Sequence, residues 1–153
     1  MEKGQISNKP SPAIVFDIDG ILIEQPDTGF FGRLHNKMPD IVSKPFDKIK
    51  MLNEIRKYEL IEQSADFIQK LFFMDYRIIL FAHRNQVYYE ELVDYFEENH
   101  VLFNEIIVGG QKERERILSQ DHVHYYYYSH PFHYSTSNKE KERHIDSWQE
   151  LTV

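Results

Sequence analysis

Cysteine is absent from the 153 residues. Its absence excludes disulfides, thiolate nucleophiles and cysteine–zinc sites, and suits a reducing compartment. No apolar run approaches the roughly 20 residues that cross a bilayer, so no membrane span is expected. The first residues carry no apolar stretch of the kind that opens a secretory leader, and the expected location is the cytoplasm. Basic residues are also outnumbered, with 18 Lys and Arg against 25 Asp and Glu and a net charge of −7. A general nucleic-acid binder needs a basic surface to neutralise phosphates, so that class is not expected. There is no internal repeat, and no low-complexity tract apart from the run Tyr125 to Tyr128.

What is present is a globular composition, 41% hydrophobic and 28% charged, with aromatics high at 14%. A chain of this length reads as one domain with a real core. Residues 1–12 read as a loose polar tail with Gly4, Pro10 and Pro12, and residues 13–153 as the domain. Its most informative stretch runs from Ala13 to Leu22. Ile14, Val15, Phe16 and Ile18 read as a strand buried on both faces, hence a central parallel strand. Asp17 and Asp19 then stand at its carboxyl end, where open α/β sheets place their ligands. Two carboxylates so close together repel each other and resist desolvation, so they call for a cation or a proton. Gly20 permits a sharp turn directly after them.

Further along, residues 77–82, 105–108 and 122–128 read as strands. Residues 60–74, 86–99 and 112–120 read as helices. Phe46, Ile49, Leu52 and Ile55 recur every three residues and predict another helix from about Pro45. Residues 139–144 are charged and read as a turn or short helix. The alternation predicts an α/β, Rossmann-like parallel sheet with helices on both faces. The stretch of about 24–59 is long for a βα connection and predicts a small cap or flap inserted after the first strand.

The strand followed by Asp17-Ile18-Asp19-Gly20 resembles the first motif of the haloacid dehalogenase superfamily. The resemblance runs from Ala13 to about Leu151 and is nearest to small-cap phosphatase or nucleotidase-like members. It implies that Asp17 is a nucleophile that takes up a phosphoryl group, that Asp19 is the general acid and base, and that Mg²⁺ is the cofactor. It also implies a small-molecule or nucleotide phosphate as substrate, with Gly20, Ala82, His83 and Arg84 at the substrate-binding positions. The second motif normally carries Thr or Ser, and here that position holds Ala82. A hydrogen bond to a charged group is worth about 1.5–3 kcal/mol, so losing the hydroxyl implies phosphate handling weaker by roughly ten- to hundredfold. Arg84 matches an Arg common after that motif, although His83 and Arg84 are equally well read as strand-end solvation.

The third motif is a basic residue near the start of the helix after the third strand. Lys112 stands there, with Arg114 and Arg116 as nearby substitutes, and the plain alternative is a solvated helix of mixed charge. The fourth motif normally adds an acid after the fourth strand to complete the metal site. Here Ser129 and His130 follow the strand, and Asp121 lies at its wrong end. The metal set implied is therefore Asp17, the Asp19 carbonyl and Ser129, with waters filling the Mg²⁺ octahedron. His122, His124, His130 and His133 are read as surface or capping residues rather than a four-histidine site. The departures at Ala82 and Ser129 leave two readings open. One is a Mg²⁺-dependent phosphohydrolase; the other is a catalytically degenerate member that binds or regulates.

Overall fold

A computed structural model describes residues 11–24, 59–128, 139–145 and 151. Among these, five strands form one all-parallel sheet. In chain order the elements are β1 (Ala13–Asp17), α1 (Glu62–Phe73), β2 (Arg77–His83), α2 (Tyr89–Glu98), β3 (Glu105–Gly109), α3 (Gln111–Leu118), β4 (Val123–Tyr128) and β5 (Glu142–His144). Short 3-10 turns at Gln86–Tyr88 and Lys139–Lys141 lead into α2 and β5. The strands lie in the order β3-β2-β1-β4-β5. The chain winds outward from β1 through β2 to β3, then returns to the other side of β1. The order reverses between β1 and β4, and a crevice at such a switch point is where open α/β sheets bind ligands.

β1 sits between two parallel neighbours and is buried at all five positions. That is why its apolar run does not alternate. Its two faces meet different helices. Ile14 and Phe16, with Ile78 and Leu80 of β2, pack against Phe67, Ile68 and Leu71 of α1 and Leu92 and Phe96 of α2. Ala13 and Val15, with Ile79 and Phe81, pack against Ile117 and Leu118 of α3 and Tyr126 of β4. Asp17 shares the parity of Ala13 and Val15, so its side chain leaves the sheet toward α3.

The α/β sheet with helices on both faces is as the sequence predicts. The strand, read from the sequence as running through Ile18, stops at Asp17, and Asp19 lies beyond it in an isolated bridge to Ile23. The segment 139–144, expected as a turn or short helix, opens as a turn and then becomes an edge strand. Its strand character comes from pairing with β4, which no local propensity of Glu-Arg-His supplies.

Gly20 adopts φ 85, and its N–H donates to the Ile23 carbonyl at 2.8 Å. The N–H groups of Leu22 and Ile23 fold back on the Ile18 carbonyl at 3.0 and 3.1 Å. This tight turn carries Asp19. Gly20→Ala, forced into a left-handed backbone, is expected to cost about 1–2 kcal/mol in urea denaturation. An unchanged midpoint would mean that the turn does not need glycine.

Immediately after the turn, Ile23 and Leu60 form an antiparallel bridge. The Ile61 N–H donates to Leu22 at 2.7 Å, and the Glu24 N–H to Glu59 at 3.2 Å. Residues 22–24 and 59–61 are thus clasped together one turn past Asp19. The cap expected over 24–59, apart from these ends, lies outside the described residues, as do the tail 1–10 and the helix expected from Pro45.

Candidate functional site

The carboxyl ends of β1, β2 and β4 bring one set of charged groups together. Asp17 ends β1 and is only 8% exposed. The Tyr126 hydroxyl donates to its Oδ1. Burial pushes the Asp17 carboxyl up to about 7. The Tyr126 hydrogen bond and the Arg114 guanidinium pull it down by less, while Asp19 and Glu142 add to the rise. The same burial, with Asp17 beside it, raises the Tyr126 phenol well above its ordinary range and keeps it a donor.

Asp19 is held by a different strand. Arg84, directly after β2, donates from Nε to Asp19 Oδ2 at 2.9 Å and from an Nη to Oδ1 at 2.5 Å. This is the bidentate fork that a guanidinium makes with a carboxylate. Arg84 is itself 2% exposed, and its charge lies 4.9 Å from the centroid of the Tyr88 ring. The loop that carries it is fixed locally. The Asn85 side chain accepts from the Val87 N–H at 3.1 Å, and Gln86 Nε2 donates to the Val108 carbonyl of β3. Arg84 is therefore buried against Asp19 and not solvated at the strand end.

The cation facing Asp17 is Arg114. It is buried on the inner face of α3 with Ile117 and Leu118, three and four residues on. Its Nη2 donates to Glu142 of β5 at 2.9 Å, in a pair whose side chains are 5% and 13% exposed. Its charge lies 4.7 Å from the ring centroid of Tyr126 and 5.7 Å from that of Tyr128. Lys112 is exposed on the outer face of the same helix. The sequence holds a signal for this choice: Ile117 and Leu118 mark the inward stripe, and Arg114 lies on it one turn earlier. The start of α3 is set by the Glu113 carboxylate, which accepts from the Gly110 N–H at 2.9 Å. A Cβ at Gly109 would come within 2.6 Å of that Glu113 side chain, so the bare glycine makes room for the cap.

Ala82 is buried with its methyl in the core formed with α1 and α2, so only its backbone is left to serve the site. His83 is buried and shares the Asp17 face of the sheet. Gly20 forms the turn below Asp19. Ser129, His130 and His133 lie outside the described residues. His122 and His124 stand at the amino end of β4, the opposite end of the sheet from Asp17. A polar cleft of about 420 Å³ opens at that far end, between Arg77, Glu105 and His122, and includes none of the acids or arginines described above. Tyr126 and Glu142 were not legible as site residues, because their places depend on strand order.

The donors suit a hard cation in kind. Asp17 offers a buried oxygen that holds its proton unusually tightly for want of solvation, and the Asp19 carbonyl lies two residues on. Among the described residues no three acidic or histidine side chains form a metal cage. Mg²⁺ keeps several waters and needs only one or two carboxylates. No helix among the described residues is long and apolar enough to cross a membrane. Comparison with protein-family models, with curated proteins and with solved structures finds no match.

Proposed function

We propose that the protein is a Mg²⁺-dependent phosphohydrolase that acts through an aspartyl-phosphate on Asp17. Its substrate is a phosphomonoester: a nucleotide, a polynucleotide end or a sugar phosphate. The observation that carries this reading is the buried Asp17 carboxylate at the switch point of the sheet, with Asp19, Arg84 and Arg114 around it. A carboxylate so placed needs a proton or a cation, and the two arginines suit an anion arriving beside it. Asp17, the Asp19 carbonyl and waters would hold Mg²⁺, with Ser129 the further candidate after β4. When bound, the ion supplies neutralising charge for the phosphoryl oxygens.

In the first step a carboxylate oxygen of Asp17 attacks phosphorus. The bond from phosphorus to the leaving oxygen breaks, and that oxygen takes a proton from Asp19. In the second step water attacks phosphorus and gives its proton to Asp19. The bond to Asp17 breaks and inorganic phosphate leaves. Arg114, rather than Lys112, is the cation this reading sets beside the developing charge. Arg84 has to release one Asp19 oxygen for the proton to pass. We place the reaction in the cytoplasm, which suits a chain without cysteine.

A binding module that no longer turns over is the second reading. It is favoured by that same contact, because Arg84 occupies both oxygens of the acid that must move the proton. Phosphate release from a panel of phosphomonoesters, with Mg²⁺ and with chelator, separates the two. The hydrolase is expected to show metal-dependent release that falls to background in Asp17→Asn. Release no higher than that of the variant across the panel would leave the binding module.

A further inference from the structure

We propose that Tyr126 is a positioning residue for Asp17: it holds one carboxylate oxygen and so presents the other, in a single orientation, as the reacting atom. The inference rests on the hydrolase reading for its catalytic consequence, but not for its geometry.

A free aspartate side chain can rotate and offer either oxygen. Asp17 is the last residue of its strand, and its Oδ1 accepts the Tyr126 hydroxyl. The tyrosine cannot follow a rotating carboxylate, because it is fully buried and fixed on several sides. Its backbone lies in β4 in register with Val15 of β1. The Phe81 ring lies 6.3 Å away, centroid to centroid, and the Arg114 guanidinium 4.7 Å from the ring centroid. Arg114 is held in turn by Glu142 at 2.9 Å. Four elements, β5, α3, β4 and β1, thus converge on one oxygen of one carboxylate. A near-attack geometry is sensitive to displacements of about 1 Å, which is what such a chain restrains. A phenol needed only for packing would not have to point its hydroxyl at the acid, since phenylalanine would fill the same space.

The test is the steady-state kinetics of Mg²⁺-dependent phosphate release by the full chain, compared with Tyr126→Phe and Glu142→Gln. Melting curves are taken first, so that rates are compared where every variant is folded. Tyr126→Phe is expected to lower kcat by about ten- to hundredfold with KM within threefold, the scale of one lost charge-assisted hydrogen bond. Glu142→Gln, which loosens Arg114 at a distance, is expected to lower kcat severalfold with KM unchanged. Wild-type kcat in both folded variants would reduce Tyr126 to a packing residue and overturn the proposal.

A second readout needs no turnover. The buried Tyr126 hydroxyl proton is expected as a slowly exchanging downfield NMR signal, absent in Tyr126→Phe and shifted in Asp17→Asn. If the wild-type protein releases no phosphate, the hydrolase reading fails, and the hold on Asp17 is decided by this signal alone. A signal that does not respond to Asp17→Asn would overturn it.

Discussion

With metal chelated, Asp17→Asn is expected to be more stable than the wild-type protein at pH 8 and nearly equal to it at pH 4. The wild-type carboxyl titrates near 3.8 when the chain is unfolded and at about 7 when it is buried. Below both values each state keeps the proton, and Asp17 adds no pH dependence. Between them the unfolded chain releases a proton that the folded protein retains, so stability falls as pH rises, by up to about 1.4 kcal/mol per pH unit. Above about 7 both states are ionised and the deficit stays constant, at about 4 kcal/mol. Asparagine carries no charge to desolvate, and its amide oxygen still accepts from Tyr126. Urea denaturation of both proteins at the two pH values reads the difference directly. An equal gap at pH 4 and pH 8 would mean that Asp17 is not the desolvated acid described above. If the larger gap appears, Asp17 is a group whose charge is tolerated for use rather than for stability, since most single substitutions destabilise.

The second large effect separates Arg114 from Lys112. Arg114→Ala removes one partner of a buried pair and takes the cation from the faces of Tyr126 and Tyr128. Breaking a buried ion pair costs about 3–5 kcal/mol, because the remaining charge keeps its desolvation cost and loses the attraction that offset it. Lys112→Ala alters an exposed position and is expected to stay within about 0.5 kcal/mol. The same contrast is expected in turnover. Arg114→Lys keeps the charge but loses the flat guanidinium that lies over the Tyr126 and Tyr128 rings, and on the hydrolase reading it lowers phosphate release by roughly a hundredfold. Lys112→Ala leaves release as it was. Denaturation and kinetics on the three variants check both halves, and a larger loss at Lys112 in either would return the role to that residue.

The two arginines also mark how far the chain could be read before it was seen folded. The parallel sheet and the placing of Asp17 and Asp19 were legible, because each rests on a local pattern. An apolar run without alternation means burial on both faces, and an Asp-x-Asp-Gly at its end means charge and a turn where that burial stops. Arg84 was legible as a position but not as a partner, since its distance from Asp19 in the chain says nothing of the fork between them. Arg114 was half legible, through its spacing to Ile117 and Leu118. β5 was not legible: three residues of Glu-Arg-His become a strand only because β4 offers them an open edge.

The sequence by itself determined the class of fold, the two acids at a buried strand end, and the glycine turn that follows, because these depend on residues within a few positions of one another. Only the tertiary structure decided which cation meets which acid. Arg84 reaches Asp19 across 65 residues and Tyr126 reaches Asp17 across 109, and each pairing exists because the strand order β3-β2-β1-β4-β5 sets β2 and β4 on either side of β1. Strand order follows from how the helices cover both faces of the sheet. That is a property of the packed chain and of no single stretch within it.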